Sequence, residues 1–191
     1  MSDEGEGSVI GPWRRLSRRV AYENPWIGVW HDDVLRPDGS PGIYGVVHFR
    51  TVAAGVVAID TEDRVLLVGQ HRYTLDAYSW EIPEGGVADG EPAVDGARRE
   101  LLEETGVVAA AWRELGRAHL SNSVTDESAV FYLATDLRQE APDPEATEEL
   151  VVRWVPFDEA LEMTLDGRIT DALAILGIQR VALDRLRVAG D

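Results

Sequence analysis

The chain has 191 residues, of which 35 are Asp or Glu and 18 are Lys or Arg, giving a net charge of −17. That balance excludes a protein that grips nucleic acid or an anionic membrane through a basic face, because phosphates reward clustered Lys and Arg. There is no cysteine, which excludes disulfides and thiolate metal sites, and no run approaches the roughly 20 apolar residues of a membrane span.

The length fits one ordinary domain with an N-terminal extension. The acidic, polar start MSDEGEGSV resembles neither a signal peptide nor a basic transit peptide, so a cytoplasmic protein is expected. An acidic protein that handled a phosphate substrate would need divalent cations between itself and its ligand. Residues 1–17 read as a flexible tail. Residues 18–50 read as short strands, with a turn signal at Pro37, Asp38, Gly39 and Ser40. VAAGVVAID and RVLLVGQ read as strands around the turn TED, and the pattern predicts that they form a hairpin. SWEI is a short strand ended by Pro83. A loop and helix follow, then the strands SAVFYLATDL and LVVRWVPF with the polar loop PDPEAT between them. Leu173, Leu176, Ile178, Val181, Leu183 and Leu186 predict a last helix over about 170–186. Strands and helices mix without regular βαβ alternation, which predicts an α/β or α+β sandwich built on a mixed sheet.

The segment GGVADGEPAVDGARRELLEETGV, Gly85 to Val107, carries the chemistry. Pro92 suits the first turn of a helix and Gly106 the position just past its end, so the helix spans about 92–105. Ala93, Ala97 and Leu101 make an apolar row for packing on a sheet. Glu100, Glu103 and Glu104 share another sector. Such like charges cost roughly 0.2–0.5 kcal/mol per pair and stand at the helix end whose dipole disfavours anions. Arg99 can pair with Glu103 but cannot neutralise three carboxylates. A hard divalent cation can, since it takes carboxylate and carbonyl oxygens. A solvated acidic face is the alternative reading of the same charges.

Gly85, five residues, Glu91, seven residues, then Arg99-Glu100-Leu101-Leu102-Glu103-Glu104-Thr105-Gly106-Val107 resembles the Nudix box at every defining position. The resemblance implies the Nudix fold, a mixed β-sheet sandwiched between helices, over residues 51–191. It also implies hydrolysis of a nucleoside diphosphate linked to another moiety, with Mg²⁺ as cofactor and Mn²⁺ as the alternative ion. By the family pattern Glu100 and Glu104 are metal ligands, Glu103 is a ligand or water holder, and the carbonyl of Glu84 is a further ligand. Arg99 and Glu91 orient the loop and helix.

LLVGQHRY followed by SWEIPEGGV is similar to the ADP-ribose pyrophosphatase and nucleoside-diphosphate-sugar branch. This implies that Arg72 contacts phosphate and that Glu81 lies near the pocket. HLSNSVTDES lacks the proline of that branch's Ser-Pro-Gly segment but keeps its acidic part, so sugars other than ADP-ribose stay open. Glu127 there is a candidate for substrate or water contact. In the second acidic loop Glu148 is the first candidate for metal ligand or general base, and Glu149 the second. The strand extension, residues 18–50, resembles one that dimerises in this branch, so a homodimer is expected. Trp26 and Trp30 belong to it. His31, His48, His71 and His119 lack metal-ligand spacing. The expected ligand is a small nucleotide sugar, with no nucleic acid and no membrane as partner. Hydrolysis of a dinucleoside polyphosphate or nucleoside triphosphate, and a non-catalytic sensing module, are the rival readings.

Overall fold

The structure, a computed structural model, describes residues 7–140 and 150–190. Its first strands are β1 (Val9–Ile10), β2 (Trp13–Glu23), β3 (Ile27–Leu35) and β4 (Pro41–Phe49), which form one antiparallel sheet in that order. With residues 119–128 they make one of two compact units. Strand β2 starts inside the segment expected to be a tail. Its WRRLSRR sequence looks like solvated polar chain, but the charges are matched across the sheet. Arg18 forks onto Asp32 at 2.7 and 2.8 Å, Ser17 donates to Asp33 at 2.7 Å, and Arg15 is buried. The turn at 37–40 forms as predicted, with Gly39 at φ 83° and Arg36 and Ser40 closing it. Val20, Tyr22, Trp26 and Ile43 are exposed on this unit.

The second unit comprises residues 52–118 and 129–190. Apart from the end residues His119 and Ser128, it contains β5 (Ala53–Ala58), β6 (Arg64–Arg72), β7 (Ala77–Glu81), β8 (Glu84–Gly86), α1 (Ala93–Thr105), β9 (Val107–His119), β10 (Ser128–Gln139), β11 (Val151–Pro156), α2 (Phe157–Leu165) and α3 (Ala172–Ala189). One sheet runs β8-β5-β10-β9 and the other β11-β6-β7. Strands β5 and β10 are parallel, Ala53 opposite Ala129 through Ala58 opposite Ala134.

The hairpin predicted from VAAGVVAID and RVLLVGQ does not form as a ladder. Asp60 and its neighbours do make a tight turn, with a single bridge between Ile59 and Val65. Beyond it the strands part. The edges of β5 are taken by β8 and β10, and those of β6 by β7 and β11. A strand buried on both faces is continuously apolar, and β5 is. Ala54, Val56 and Ala58 join the cluster that includes Ala97 and Leu101 of α1. On the alternate positions, a Cβ at Gly177 of α3 would meet Val57, and one at Gly55 would touch Leu173. The sheet is thus sandwiched between α1 and α3, as the Nudix pattern implies. Helix α2 went unpredicted. Its buried Phe157, Ala160, Met163 and Thr164 define one face of only nine residues, packed on α3.

Candidate active site

The site begins where one strand changes sheets. Strand β7 ends at Glu81, Pro83 interrupts the ladder, and β8 resumes in the other sheet at Glu84. Proline cannot donate to a ladder, which suits a crossing point. The Glu81 side chain is only 3% exposed, and Arg72, from the end of β6, forks onto it: Nε donates to Oε1 at 2.8 Å and Nη2 to Oε2. Gln70 reaches the same carboxylate at 3.4 Å. Arg72 Nη2 also lies 3.6 Å from Glu84 Oε1. Arg72 therefore spans two carboxylates and still keeps about a third of its surface exposed. Glu81 is a holder of Arg72, and the backbone turn at Pro83 brings Glu84 to the same cation.

Helix α1 meets β8 through its glutamates. Pro92 sits at the helix N-cap, one position before the helix proper, and Gly106 ends it in the left-handed conformation at φ 69°. The Glu84 N–H donates to Glu104 Oε2 at 3.2 Å. At Gly85 a Cβ would fall inside the Glu100 carboxylate, so only glycine allows this approach. Arg99 Nη1 donates to Glu100 Oε1 at 2.7 Å and to Glu103 Oε2 at 2.9 Å, while Nη2 donates to the Gly86 carbonyl at 2.7 Å. Glu91 takes the Ala88 N–H at 2.9 Å and stands 3.6 Å from Arg99. Loop and helix are thus tied by Arg99 and Glu91, with Glu100 and Glu104 set against the Glu84–Gly85 backbone and Glu103 held by Arg99.

The junction carries more negative charge than its arginines balance. Burial, then Asp171 and Glu81, push the Glu84 carboxyl well above its ordinary range. Burial also raises Asp171. The hydrogen bonds to Glu81 hold the Arg72 guanidinium above its usual value. Burial acts to lower Arg99, but Glu100 and Glu103 outweigh it and the guanidinium is strongly raised. Asp171 was not anticipated. It caps α3, its carboxylate accepting the Ala174 N–H at 2.6 Å. Its place before an apolar helix marks it as a cap in the sequence, but nothing in the sequence aims that helix start at Glu84.

These residues fit a hard divalent cation in donor type and in charge. All are oxygen donors, and Glu84 Oε2 is buried with no hydrogen-bond partner among the described residues. Among the described residues no three Asp, Glu or His side chains converge as a finished ligand set, and Arg99 engages both Glu100 and Glu103. Glu127 belongs to the other unit, in the loop closed by the Leu120 N–H donating to the Glu127 carbonyl at 3.0 Å. Burial raises its carboxyl. Glu148 and Glu149, with all of PDPEAT, lie outside the described residues.

A family model described as the NUDIX domain matches residues 49–174, two thirds of the chain. The chain belongs to the Nudix hydrolase family. A second model, the nucleoside diphosphate sugar hydrolase N-terminal domain, matches residues 13–47 and so begins where β2 begins. The ADP-ribose pyrophosphatase of Mycobacterium tuberculosis is 38% identical over 171 residues, 87% of this chain and 81% of that protein. The CMP-5′-(N-acetyl-N-hydroxy-3-aminopropyl)phosphonate hydrolase of Streptomyces rubellomurinus is 30% identical over 170 residues, 88% of this chain and 82% of that one. A solved ADP compounds hydrolase has the same fold, with a TM-score of 0.79 at 19% identity, covering 95% of this chain and 96% of its own. Nudix hydrolases generally use divalent metal ions, and in this member the Nudix-box glutamates crowd against the backbone of Glu84 and Gly85.

Proposed function

We propose that this Nudix hydrolase is a Mg²⁺-dependent pyrophosphohydrolase. Its substrate would be ADP-ribose or a related nucleoside diphosphate sugar, and its products a nucleoside monophosphate and a sugar phosphate. The observation that carries the reading is the junction of β8 and α1. There the Glu84–Gly85 backbone packs directly on Glu100 and Glu104. The kinship with the mycobacterial ADP-ribose pyrophosphatase supports the substrate class.

In this reading Glu100, Glu104 and the Glu84 carbonyl would hold the metal, with Glu103 as a further ligand or as the group that holds water. Bound Mg²⁺ supplies charge cancellation on the diphosphate and polarises the attacked phosphorus. Arg72, fixed by Glu81, offers its remaining N–H groups to a phosphate oxygen, the pairing for which a guanidinium is suited. Glu127 and Glu148, or Glu149 in its place, are the candidates to accept the proton of the attacking water, and Glu148 is also a candidate ligand. A non-catalytic sensor has no evident use for the full carboxylate set. No described helix is long and apolar enough to cross a membrane. The acidic balance of the chain supports an enzyme that takes no nucleic acid, and the proposed location is the cytoplasm. The exposed Val20, Tyr22, Trp26 and Ile43 support a homodimer built on residues 18–50.

The test is product identification from a panel with and without Mg²⁺. The panel holds ADP-ribose, a GDP-sugar, a CMP-linked phosphonate, a dinucleoside polyphosphate and a nucleoside triphosphate. The phosphonate is included because of the Streptomyces relative. Release of nucleoside monophosphate from the diphosphate sugars, dependent on Mg²⁺, is the expected result. Turnover of the triphosphate alone would overturn the substrate assignment.

A further inference from the structure

The last turn of α1 carries Glu103 and Glu104, and its own sequence works against it. That turn has no basic residue. Its final carbonyls amount to roughly half a negative charge, beside which two carboxylates are disfavoured. A helix end also leaves its last carbonyls without partners inside the helix, and it frays. Arg99 reaches the Glu103 side chain at 2.9 Å and the Gly86 carbonyl at 2.7 Å, not the end of the helix backbone. That end is held from β10, in the same compact unit. Gln139, the last residue of β10, donates its side-chain amide to the Gly106 carbonyl at 3.0 Å and to the Thr105 carbonyl at 3.2 Å, across 33 residues of chain to Gly106. The same amide reaches the Glu140 carbonyl at 3.2 Å. The Glu140 N–H donates to the Gly106 carbonyl at 2.7 Å. Meanwhile Glu104 Oε2 accepts the Glu84 N–H at 3.2 Å. The last turn is therefore gripped twice, through a side chain from β8 and through its backbone from β10. A ligand residue fixed in this way loses less freedom when an ion arrives.

We propose that Gln139 is a positioning residue for the divalent cation: by holding the Thr105 and Gly106 carbonyls it presets the turn that carries Glu103 and Glu104. This rests on the hydrolase reading above, in which those glutamates meet the metal. The alternative is that Gln139 only finishes the exposed end of β10. Two substitutions separate these roles. Gln139→Met keeps the length of the side chain and loses both N–H groups. Gln139→Lys returns a donor to the same carbonyls, at a helix end that favours a cation. Gln139 is exposed, so neither change should disturb the core.

Calorimetric titration of the wild type with Mg²⁺ and its turnover of ADP-ribose, measured first, decide the hydrolase reading by themselves. A wild type that binds no Mg²⁺ loses that reading and this proposal together. With Mg²⁺ binding in hand, Gln139→Met is expected to bind the ion about three- to tenfold more weakly, the weight of one neutral hydrogen bond. A second readout is independent of metal and turnover. In chelated protein, amide exchange at Glu103, Glu104 and Gly106 should speed up in Gln139→Met and return to the wild-type rate in Gln139→Lys, while exchange at Phe131 and Tyr132 within β10 stays unchanged. Fraying with no loss of Mg²⁺ affinity would mean that Gln139 is structural only. That result, unchanged exchange at the last turn, or fast exchange that persists in Gln139→Lys would each overturn the proposal.

Discussion

Replacing Gly85 with Ala tests the junction of β8 and α1 directly. The backbone of Gly85 is not left-handed, so alanine is conformationally acceptable there. What it meets is the Glu100 carboxylate. That group is the end of a flexible side chain, so it can swing aside rather than unfold the helix. Swinging aside forfeits the 2.7 Å contact with Arg99, whose side chain is 36% exposed. A partly solvated pair of this kind is worth roughly 0.2–1 kcal/mol. An off-rotamer glutamate adds about 0.5–1.5 kcal/mol. The total, about 1–2 kcal/mol, should lower Tm by roughly 2–8 °C. Function should suffer far more, because Glu100 no longer stands beside the Glu84–Gly85 backbone. Calorimetric titration should find Mg²⁺ binding about 10–100-fold weaker. The decisive assay is the cycle with Glu100→Ala: once the carboxylate is gone, Gly85→Ala should change Tm hardly at all. An equal fall in Tm in both backgrounds, or normal Mg²⁺ binding by Gly85→Ala, would refute the packing explanation.

Glu104→Gln should keep the hydrogen bond from the Glu84 N–H and the fold, yet lose about 100-fold or more in kcat as a ligand charge disappears; Tm and turnover measured together decide this. In metal-free protein the raised carboxyl of Glu84 favours its neutral form in the folded state. Its stability contribution is therefore complete below the ordinary carboxylate range and is lost as pH rises through the raised value. Glu84→Gln, which keeps the backbone carbonyl, should raise the Tm of chelated protein at pH 7 and match wild type near pH 4. Arg72→Ala strands Glu81, whose side chain is 3% exposed. Denaturant melts should show a loss near the lower end of about 3–5 kcal/mol, because Arg72 is itself part solvated. Light scattering of the intact chain should report a dimer, and deletion of residues 1–50 a monomeric or insoluble protein without turnover.

Helix α1 was legible because its information is local. Pro92 and Gly106 mark its ends, and Ala97 and Leu101 are indeed buried under the acidic sector. The Arg99–Glu103 pair follows from the same four-residue spacing. The divergence of β5 from β6 was not legible. The turn at Asp60 looks the same whether the strands pair or part, and what parts them is competition from β8, β10, β7 and β11. Strand β2 was cut short because WRRLSRR reads as solvent-facing until its partners on β3 are known. Asp171 is the clearest omission at the site. Its capping role is local, but its effect on Glu84 passes through space from a helix nearly ninety residues on.

The parallel pairing of β5 with β10 also dictates an order of events. Ala53 must find Ala129, and everything that builds the β8–α1 junction lies in the chain between them. Closing so long a loop costs entropy that only later contacts repay, and such topologies fold slowly. On the ribosome, α1 emerges before the strand that completes its sheet. Until β10 docks, Ala97 and Leu101 have only part of their eventual cover. The acidic junction is therefore among the last places to consolidate, and a divalent cation that binds there would act on maturation as well as on the finished enzyme.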